Sequence, residues 1–123
     1  MILVDSFGWI EFFADGPLAD KYFGYLKDES KVITPTIVLY EVYKKIKRER
    51  SEEEALVAVA QINKTKVLPL DELIALSAAD LSLKYALPMA DAVVYATACS
   101  RNAKVVTSDP HFERLPGVTF LKV

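Results

Sequence analysis

The feature that most constrains the fold is the alternation of short apolar runs with longer segments of helical periodicity. Four brief runs rich in Val and Ile, and a fifth run near the carboxyl end, are separated by these segments. Strands that are buried on both faces of a parallel sheet have such continuous apolar character. Because parallel strands are joined by crossovers, the alternation predicts helices on both sides of a mostly parallel sheet. The predicted strands are residues 2–4, 31–34, 66–68, 104–107 and 118–122.

Several helix boundaries can be predicted from single residues. Ser51 begins a Ser-Glu-Glu-Glu sequence, which is a capping box in which side-chain oxygens bind free backbone amides. Asp71 is expected to cap a helix in the 73–87 stretch, and Pro88 is expected to end it. Pro17 is expected in the first turn of a helix that reaches about residue 28. Two more helices are predicted at 36–50 and 89–102.

Length and composition fit a single globular domain over residues 1–123. The chain is 52% hydrophobic and 26% charged, so it is not intrinsically disordered. Cys99 is the only cysteine, which excludes an internal disulfide and favours a reducing, cytoplasmic location. The start of the chain does not resemble a signal peptide, and no uncharged run approaches the ~18–20 residues that cross a bilayer. We therefore expect no membrane segment.

The charge balance restricts the possible partners. The chain has 15 Lys and Arg residues and 17 Asp and Glu residues, with a net charge of −2. A protein whose main task is to coat nucleic acid usually has a pI above about 9. The composition therefore argues against a coating protein, but it allows an enzyme that contacts nucleic acid at one site.

Two acidic residues follow predicted strands. Asp5 ends the first strand, and Asp109 lies two residues beyond the fourth. The carboxyl ends of parallel strands share one edge of the sheet, and ligand sites form outside that edge where the strand order reverses. Both carboxylates are therefore expected at the same edge. Each of them could instead simply cap the helix or turn that follows it.

Two further acidic residues interrupt apolar helical segments. Glu41 is the only charge in residues 35–43, and Asp91 precedes nine uncharged residues. Interaction with the helix dipole would account for Asp91. Pairing of Glu41 with Lys44 or Lys45 is worth only a few tenths of a kcal/mol, which is too little to explain a carboxylate in so apolar a stretch.

Carboxylates from these four positions would repel one another if they met in one pocket. Uncompensated burial of such charges costs several kcal/mol, and a bound divalent cation is the usual resolution. Hard oxygen ligands with no His or Cys suit Mg²⁺ or Mn²⁺. The sequence therefore predicts a metal site formed by Asp5, Glu41, Asp91 and Asp109.

These residues also carry a resemblance to a known family, the PIN-domain ribonucleases. The family's motifs resemble four segments of this chain in the same order: Val4-Asp5-Ser6-Phe7, Glu41 in the helix after Thr34-Pro35-Thr36, Asp91-Ala92, and Thr107-Ser108-Asp109-Pro110-His111-Phe112. The small size is most similar to that of VapC toxins from prokaryotic toxin–antitoxin pairs. The resemblance implies a three-layer α/β/α sandwich with a central sheet of four to five strands.

The resemblance also implies an activity. It is Mg²⁺- or Mn²⁺-dependent endonucleolytic cleavage of RNA, by in-line attack of a metal-activated water that leaves a 5′-phosphate and a 3′-hydroxyl. By position, the three most regular metal-binding acids of the family match Asp5, Glu41 and Asp91. A fourth and more variable acid matches Asp109.

The remaining positions of the motifs have supporting roles in the family. Ser6 and Thr107 match hydroxyls that support the acids by hydrogen bonding. His111 occupies the position at which some relatives carry one more acid. The replacement of that acid by histidine affects whether a second metal ion can be held. As the only histidine, it has no evident orienting partner, and we expect it to be a surface or helix-capping residue.

A basic segment offers a surface for RNA. Residues 44–50 carry the densest positive charge and lie a turn or two beyond Glu41. Side chains of this segment are expected to contact phosphates, which would make binding salt-sensitive. A solvated helix end, stabilised by the helix dipole, is the alternative. The residues concerned are Lys44, Lys45, Lys47 and Arg48.

Protein partners are implied as well. The early part of the chain has more aromatic residues than one helical face needs, and any that remain exposed would suit a partner chain. They are Phe7, Trp9, Phe12, Phe13, Tyr22, Phe23 and Tyr25. The resemblance implies a homodimer, and a cognate antitoxin whose tail lies across the active-site groove.

Two alternatives to a toxin stay open. One is a catalytically silent RNA- or protein-binding module on the same fold, although a silent site has no reason to retain four mutually repelling acids. The other is a PIN nuclease that acts in RNA processing without an antitoxin. The sequence does not identify the RNA.

Overall fold

Consecutive residues in the central strands are completely buried, so both faces of the sheet are covered. Leu3 and Val4, like Val105 and Val106, have 0% exposure. The computed structural model describes all residues, Met1–Val123. Its five strands are β1 (Ile2–Val4), β2 (Val32–Pro35), β3 (Lys66–Leu68), β4 (Lys104–Thr107) and β5 (Val118–Phe120). Each predicted strand is confirmed, with shifts of one or two residues at the ends of β2 and β5.

Six helices flank this sheet and complete the predicted three-layer α/β/α sandwich. They are α1 (Ser6–Phe13), α2 (Ala19–Leu26), α3 (Thr36–Glu49), α4 (Glu52–Ile62), α5 (Glu72–Tyr85) and α6 (Met89–Ser100). Short 3₁₀ turns occur at Glu29–Lys31 and Pro110–Phe112. No single helix has the length and apolar character to span a membrane, although α5 and α6 together, bent by 113° at their break, reach that threshold.

The strand order places a crevice at one edge of the sheet. The order is β3-β2-β1-β4-β5, and all neighbouring pairs are parallel. From β1 the chain adds β2 and then β3 on one side, and it then adds β4 and β5 on the other side of β1. The strand order therefore reverses between β1 and β4. Val4 is paired with Val106. The residues that follow them, Asp5 and Thr107, therefore lie side by side at the carboxyl ends of β1 and β4.

The predicted caps of two helices are confirmed in part. The amide of Ile74 donates to Asp71 Oδ1 over 2.9 Å, and the amide of Glu54 donates to the Ser51 hydroxyl over 3.0 Å. The reciprocal half of the Ser51 capping box is missing. The Glu54 carboxylate instead pairs with Arg50, at 3.1 Å from its Nε.

Two predicted helix boundaries are wrong. Pro17 precedes α2 rather than lying in its first turn, because Leu18 is the N-cap residue. Helix α5 ends at Tyr85, where Ala86 adopts the left-handed conformation with φ 55° and ψ 46°. Such a residue stops a helix without any proline. Pro88 is the N-cap of the next helix, α6.

Candidate active site

Asp5 is held at the end of β1 by hydrogen bonds to both of its oxygens. The amide of Gly8 donates to Oδ1 over 3.2 Å, which caps α1. The Thr107 hydroxyl donates to Oδ2 over 2.6 Å. The carboxylate is only 3% exposed. Asp5 therefore caps α1, as one of the two interpretations predicts, and its carboxylate also interacts with the charges of Asp91 and Asp109.

The Thr107 hydroxyl also positions Asp109. It accepts a hydrogen bond from the Asp109 amide over 2.9 Å. Asp109 in turn caps the short turn that follows it, since its Oδ1 accepts from the His111 amide over 3.0 Å. Asp109 is 5% exposed. The role expected for Thr107, a hydroxyl that supports the acids, agrees with this geometry.

Two helices bring the remaining acids to the same edge of the sheet. Glu41 lies on the second turn of α3, and Asp91 lies in the first turn of α6. Both side chains are intermediate in burial. Single ligand atoms of Asp91, Asp109 and His111 lie within 4.8 Å of one another. These three residues could together hold a metal ion.

Charge interactions link the four acids, and we refer to them together as the acidic pocket. Burial raises the pKa of Asp5 to about 7 against hydrogen bonds from Thr107 and Gly8, and the charges of Asp109 and Asp91 raise it further. Burial also raises the pKa of Glu41, with Asp91 and Asp109 adding to the shift and Ser6 opposing it. Burial and then the charge of Asp109 raise the pKa of Asp91, while His111 opposes the increase.

No lysine or arginine neutralises this pocket. The ion pairs formed by Lys and Arg side chains all go to other acids, which are Asp28, Glu49, Glu52, Glu54 and Glu113. The donor set of the pocket is dominated by carboxylate oxygens with an unbalanced negative charge. Hard divalent ions such as Mg²⁺ and Mn²⁺ prefer such donors, so the residues present fit a metal of this kind.

The prediction for His111 was incomplete. Its side chain is on the surface, 60% exposed, but Nδ1 lies 2.8 Å from Asp91 Oδ2 and 3.4 Å from Asp109 Oδ1. It therefore has two partners, and both belong to the acidic pocket. The available signal was its position two residues beyond Asp109, because the intervening Pro110 favours a tight turn that folds the chain back.

Three of the four basic residues expected to bind RNA lie in a cleft beside Glu41. A cleft of about 480 Å³ is lined by Ser6, Phe7, Ile10, Glu11, Tyr40, Glu41, Lys44, Lys45 and Arg48. Lys47 is not among them, and its ammonium group contacts Tyr43 and Glu52. Helical spacing is the signal that separates Lys47 from the others. Lys44, Lys45 and Arg48 follow Glu41 at i+3, i+4 and i+7, which is one helical face.

A second groove adjoins this cleft. It has a volume of about 660 Å³ and is lined by residues of α1, α3 and α4, including Phe13, Ile46 and Val57. The two depressions share Ile10 and Lys45.

Of the early aromatic residues, Trp9 and Tyr22 are buried, whereas Phe7 and Phe23 are about half exposed, at 49% and 51%.

Comparison with known proteins identifies similar sequences and folds. The model of the PIN domain family matches residues 2–118. No curated protein sequence gives a significant match.

Solved structures resemble the chain over most of its length. One is a toxin–antitoxin complex from Klebsiella pneumoniae, with TM-score 0.81, 22% identity, and coverage of 97% of this chain and 96% of that one. Another is the DNA-bound VapBC of Salmonella typhimurium, with TM-score 0.76, 22% identity and 98% coverage of both chains. A third is VapC20 of Mycobacterium tuberculosis, a sarcin–ricin loop cleaving toxin, with TM-score 0.71, 18% identity and 85% coverage of both chains. At these identities the similarity establishes the shared fold.

We expect the metal-free protein to lose stability as the pH rises from about 4 to 7. The pKa of Asp5 is raised from 3.8 to about 7, so within this range the folded chain holds a proton that the unfolded chain has released. Stability therefore falls with increasing pH, by at most about 4 kcal/mol for one such group. Asp5→Asn removes the charge and keeps the cap, since Asn caps as well as Asp. Its melting temperature should be less dependent on pH.

Thermal unfolding in EDTA at about pH 5 and pH 8 measures this difference. Asp71→Asn is the matched control, because Asp71 caps α5 from an exposed position and should leave the wild-type pH dependence unchanged. A wild-type protein that melts at a higher temperature at pH 8 than at pH 5 would contradict the prediction.

Proposed function

The chain belongs to the PIN-domain family, and from this premise we propose that it is a divalent-metal-dependent endoribonuclease. The active site would be the pocket formed by Asp5, Glu41, Asp91 and Asp109. The observation that supports this most strongly is that burial, together with the charges of neighbouring carboxylates, raises the pKa of Asp5, Glu41 and Asp91, in a pocket where no Lys or Arg side chain forms an ion pair with them. A silent binding module would gain nothing from such a costly arrangement.

The proposed reaction is hydrolysis of an RNA phosphodiester that leaves a 5′-phosphate and a 3′-hydroxyl. When bound, Mg²⁺ or Mn²⁺ supplies Lewis acidity, which lowers the pKa of a water and offsets phosphate charge. The four carboxylates would hold the ion. The Thr107 hydroxyl fixes the orientation of Asp5 through a 2.6 Å hydrogen bond and restrains Asp109 through its amide. Because these bonds exist before substrate arrives, the site needs little reorganisation.

The cleft beside Glu41 supports RNA as the substrate. Lys44, Lys45 and Arg48 line it and can neutralise phosphates along the strand. Phe7 and Tyr40 lie in the same cleft and are 49% and 56% exposed. Unpaired bases stack on exposed aromatic rings of this kind. The cleft therefore favours single-stranded segments or loops.

We also propose that the protein is the toxin of a toxin–antitoxin pair, acting in the cytoplasm. The similar structures include toxin–antitoxin complexes. The groove between α1, α3 and α4 is a suitable binding site for an apolar antitoxin segment. It shares Ile10 and Lys45 with the cleft beside Glu41, so the two depressions are continuous. An antitoxin in the groove could thus extend over the acids.

A homodimer is part of this proposal. An unpartnered apolar stripe on α5 supports it, because Leu73, Leu76 and Leu83 are 76%, 62% and 87% exposed. Their spacing places them on one side of the helix. Exposed leucines concentrated in this way are typical of interaction surfaces.

The acids are the first test of the activity. We expect Asp5→Asn, Glu41→Gln and Asp91→Asn each to reduce metal-dependent RNA cleavage below detection, because each removes a charged ligand. Metal-free stability should stay equal or rise, since a repelling buried charge is lost. Asp71→Asn again serves as the control and should cleave like the wild type. Gel-based cleavage assays with and without EDTA, together with melting curves, measure both properties. Variants that melt at lower temperature and still cleave would disprove the assignment.

RNA binding tests the cleft. In the non-cleaving Asp5→Asn background, Lys44→Ala and Arg48→Ala should weaken binding of a single-stranded oligonucleotide. Each should also lower the slope of log affinity against log salt by about 1. Lys47→Ala is the matched control, because Lys47 lies on the same helix but contacts Tyr43 and Glu52 instead. Equal losses for all three variants in fluorescence anisotropy would argue against the cleft.

The antitoxin proposal is tested by expression in a host. We expect the wild type to arrest growth and the protein encoded by the adjoining reading frame to relieve the arrest. Val57→Glu places a charge in the groove and should prevent relief without reducing cleavage. Leu56→Glu alters the neighbouring residue of α4, which is exposed outside the groove, and relief should persist. Relief that is unaffected by Val57→Glu would exclude this groove as the antitoxin site.

A further inference from the structure

We propose that His111 is a nitrogen ligand of the metal site and makes the site favour Mn²⁺ over Mg²⁺. The inference rests on the proposed function, because it concerns the same acidic pocket. It goes further by assigning a ligand outside the four acids and by choosing between the two ions.

The position of the imidazole supports this role. His111 Nδ1 lies 2.8 Å from Asp91 Oδ2 and 3.4 Å from Asp109 Oδ1. In an octahedral site with bonds of roughly 2.1 Å, adjacent ligand atoms are about 3 Å apart. The imidazole nitrogen is thus already close to the spacing of a neighbouring ligand from each carboxylate, and the three ligand atoms lie within 4.8 Å of one another. A surface histidine that only paired with one acid would not need to contact both.

Backbone hydrogen bonds and the burial of the next residue fix the position of the His111 backbone. Its amide donates to Asp109 Oδ1 over 3.0 Å, and the next residue, Phe112, is completely buried in the core. The amide of Asp109 donates to Thr107. The turn is therefore anchored on both sides of the imidazole, so the exposed side chain has a fixed origin at the rim of the pocket.

The chemistry of the donors leads to the preference between ions. Mg²⁺ prefers oxygen ligands, loses its waters reluctantly and gains little from an imidazole. Transition ions accept imidazole nitrogen more readily. A pocket of carboxylates alone distinguishes the two ions weakly, whereas one added nitrogen strengthens the binding of Mn²⁺ selectively.

A different role for His111 makes the opposite prediction. If the imidazole were protonated and served only as a counter-ion to Asp91 and Asp109, it would compete with the metal. Its removal would then strengthen the binding of both ions. If it is a ligand, its removal weakens the binding of Mn²⁺ and has little effect on Mg²⁺. The sign of the change therefore separates the two roles.

The experiment compares the full-length wild type with His111→Ala at about pH 8. Mn²⁺ affinity is measured by electron paramagnetic resonance, and Mg²⁺ affinity by competition with Mn²⁺. We expect His111→Ala to lower Mn²⁺ affinity about tenfold or more and to change Mg²⁺ affinity less than about threefold. Pulsed measurements on bound Mn²⁺ should detect coupling to an imidazole nitrogen in the wild type, which the variant lacks.

Two control variants complete the design. Arg114→Ala alters an exposed side chain that forms no ion pair and should match the wild type. Asp91→Asn should weaken the binding of both ions, because it removes a charge common to their sites. Unchanged or stronger Mn²⁺ binding in His111→Ala, or no nitrogen coupling in the wild type, would overturn the role of His111. If the wild type bound neither ion, this inference and the proposed function would both fail. If Asp91→Asn lost metal binding and His111→Ala bound both ions like the wild type, the role of His111 would be wrong but the proposed function would still be supported.

Discussion

The buried carboxylate of Asp5 is the constraint on which the rest of the site depends. Hydrogen bonds from Thr107 and Gly8 tie the end of β1 to the end of β4 and to the start of α1. They offset only part of the cost of burial, since the pKa of Asp5 remains raised to about 7. Gly8 makes the arrangement possible, because any side chain there would collide with Tyr22 and Val4. The acids are therefore positioned by the fold itself, and the divalent ion that we propose would stabilise them.

The opposing charges of the molecule are separated along α3. Glu41 interacts with the charges of Asp91 and Asp109, and Lys44, Lys45 and Arg48 follow it on the same helical face. A net charge of −2 therefore coexists with a local basic surface next to the acids. In the proposed nuclease, this basic surface would bind a polyanionic strand next to the acids, so that α3 would contribute both to binding and to the metal site.

Much of the fold and of the acid set was predictable from the sequence, because the relevant signals are local. Each strand is a short apolar run, and Asp5 and Asp109 are recognisable from their positions just after strands. Glu41 and Asp91 stand out as lone charges in apolar helices. The interpretation as caps is confirmed for Asp5 and Asp109, because the edge where parallel strands end is also where the next helix or turn begins, whereas their role as metal ligands stays a proposal.

The sequence by itself determined the order of strands and helices, the identity of the four acids and the basic face of α3, since these depend on periodicity and on neighbours a few residues apart. Only the tertiary structure decided that Ala86 ends α5, that Glu54 turns to Arg50, and that His111 contacts Asp91, which is 20 positions earlier in the chain. The helix end and the two side-chain contacts depend on which segments lie next to each other in the folded chain, and on which of several nearby groups a side chain binds. No local pattern encodes that choice.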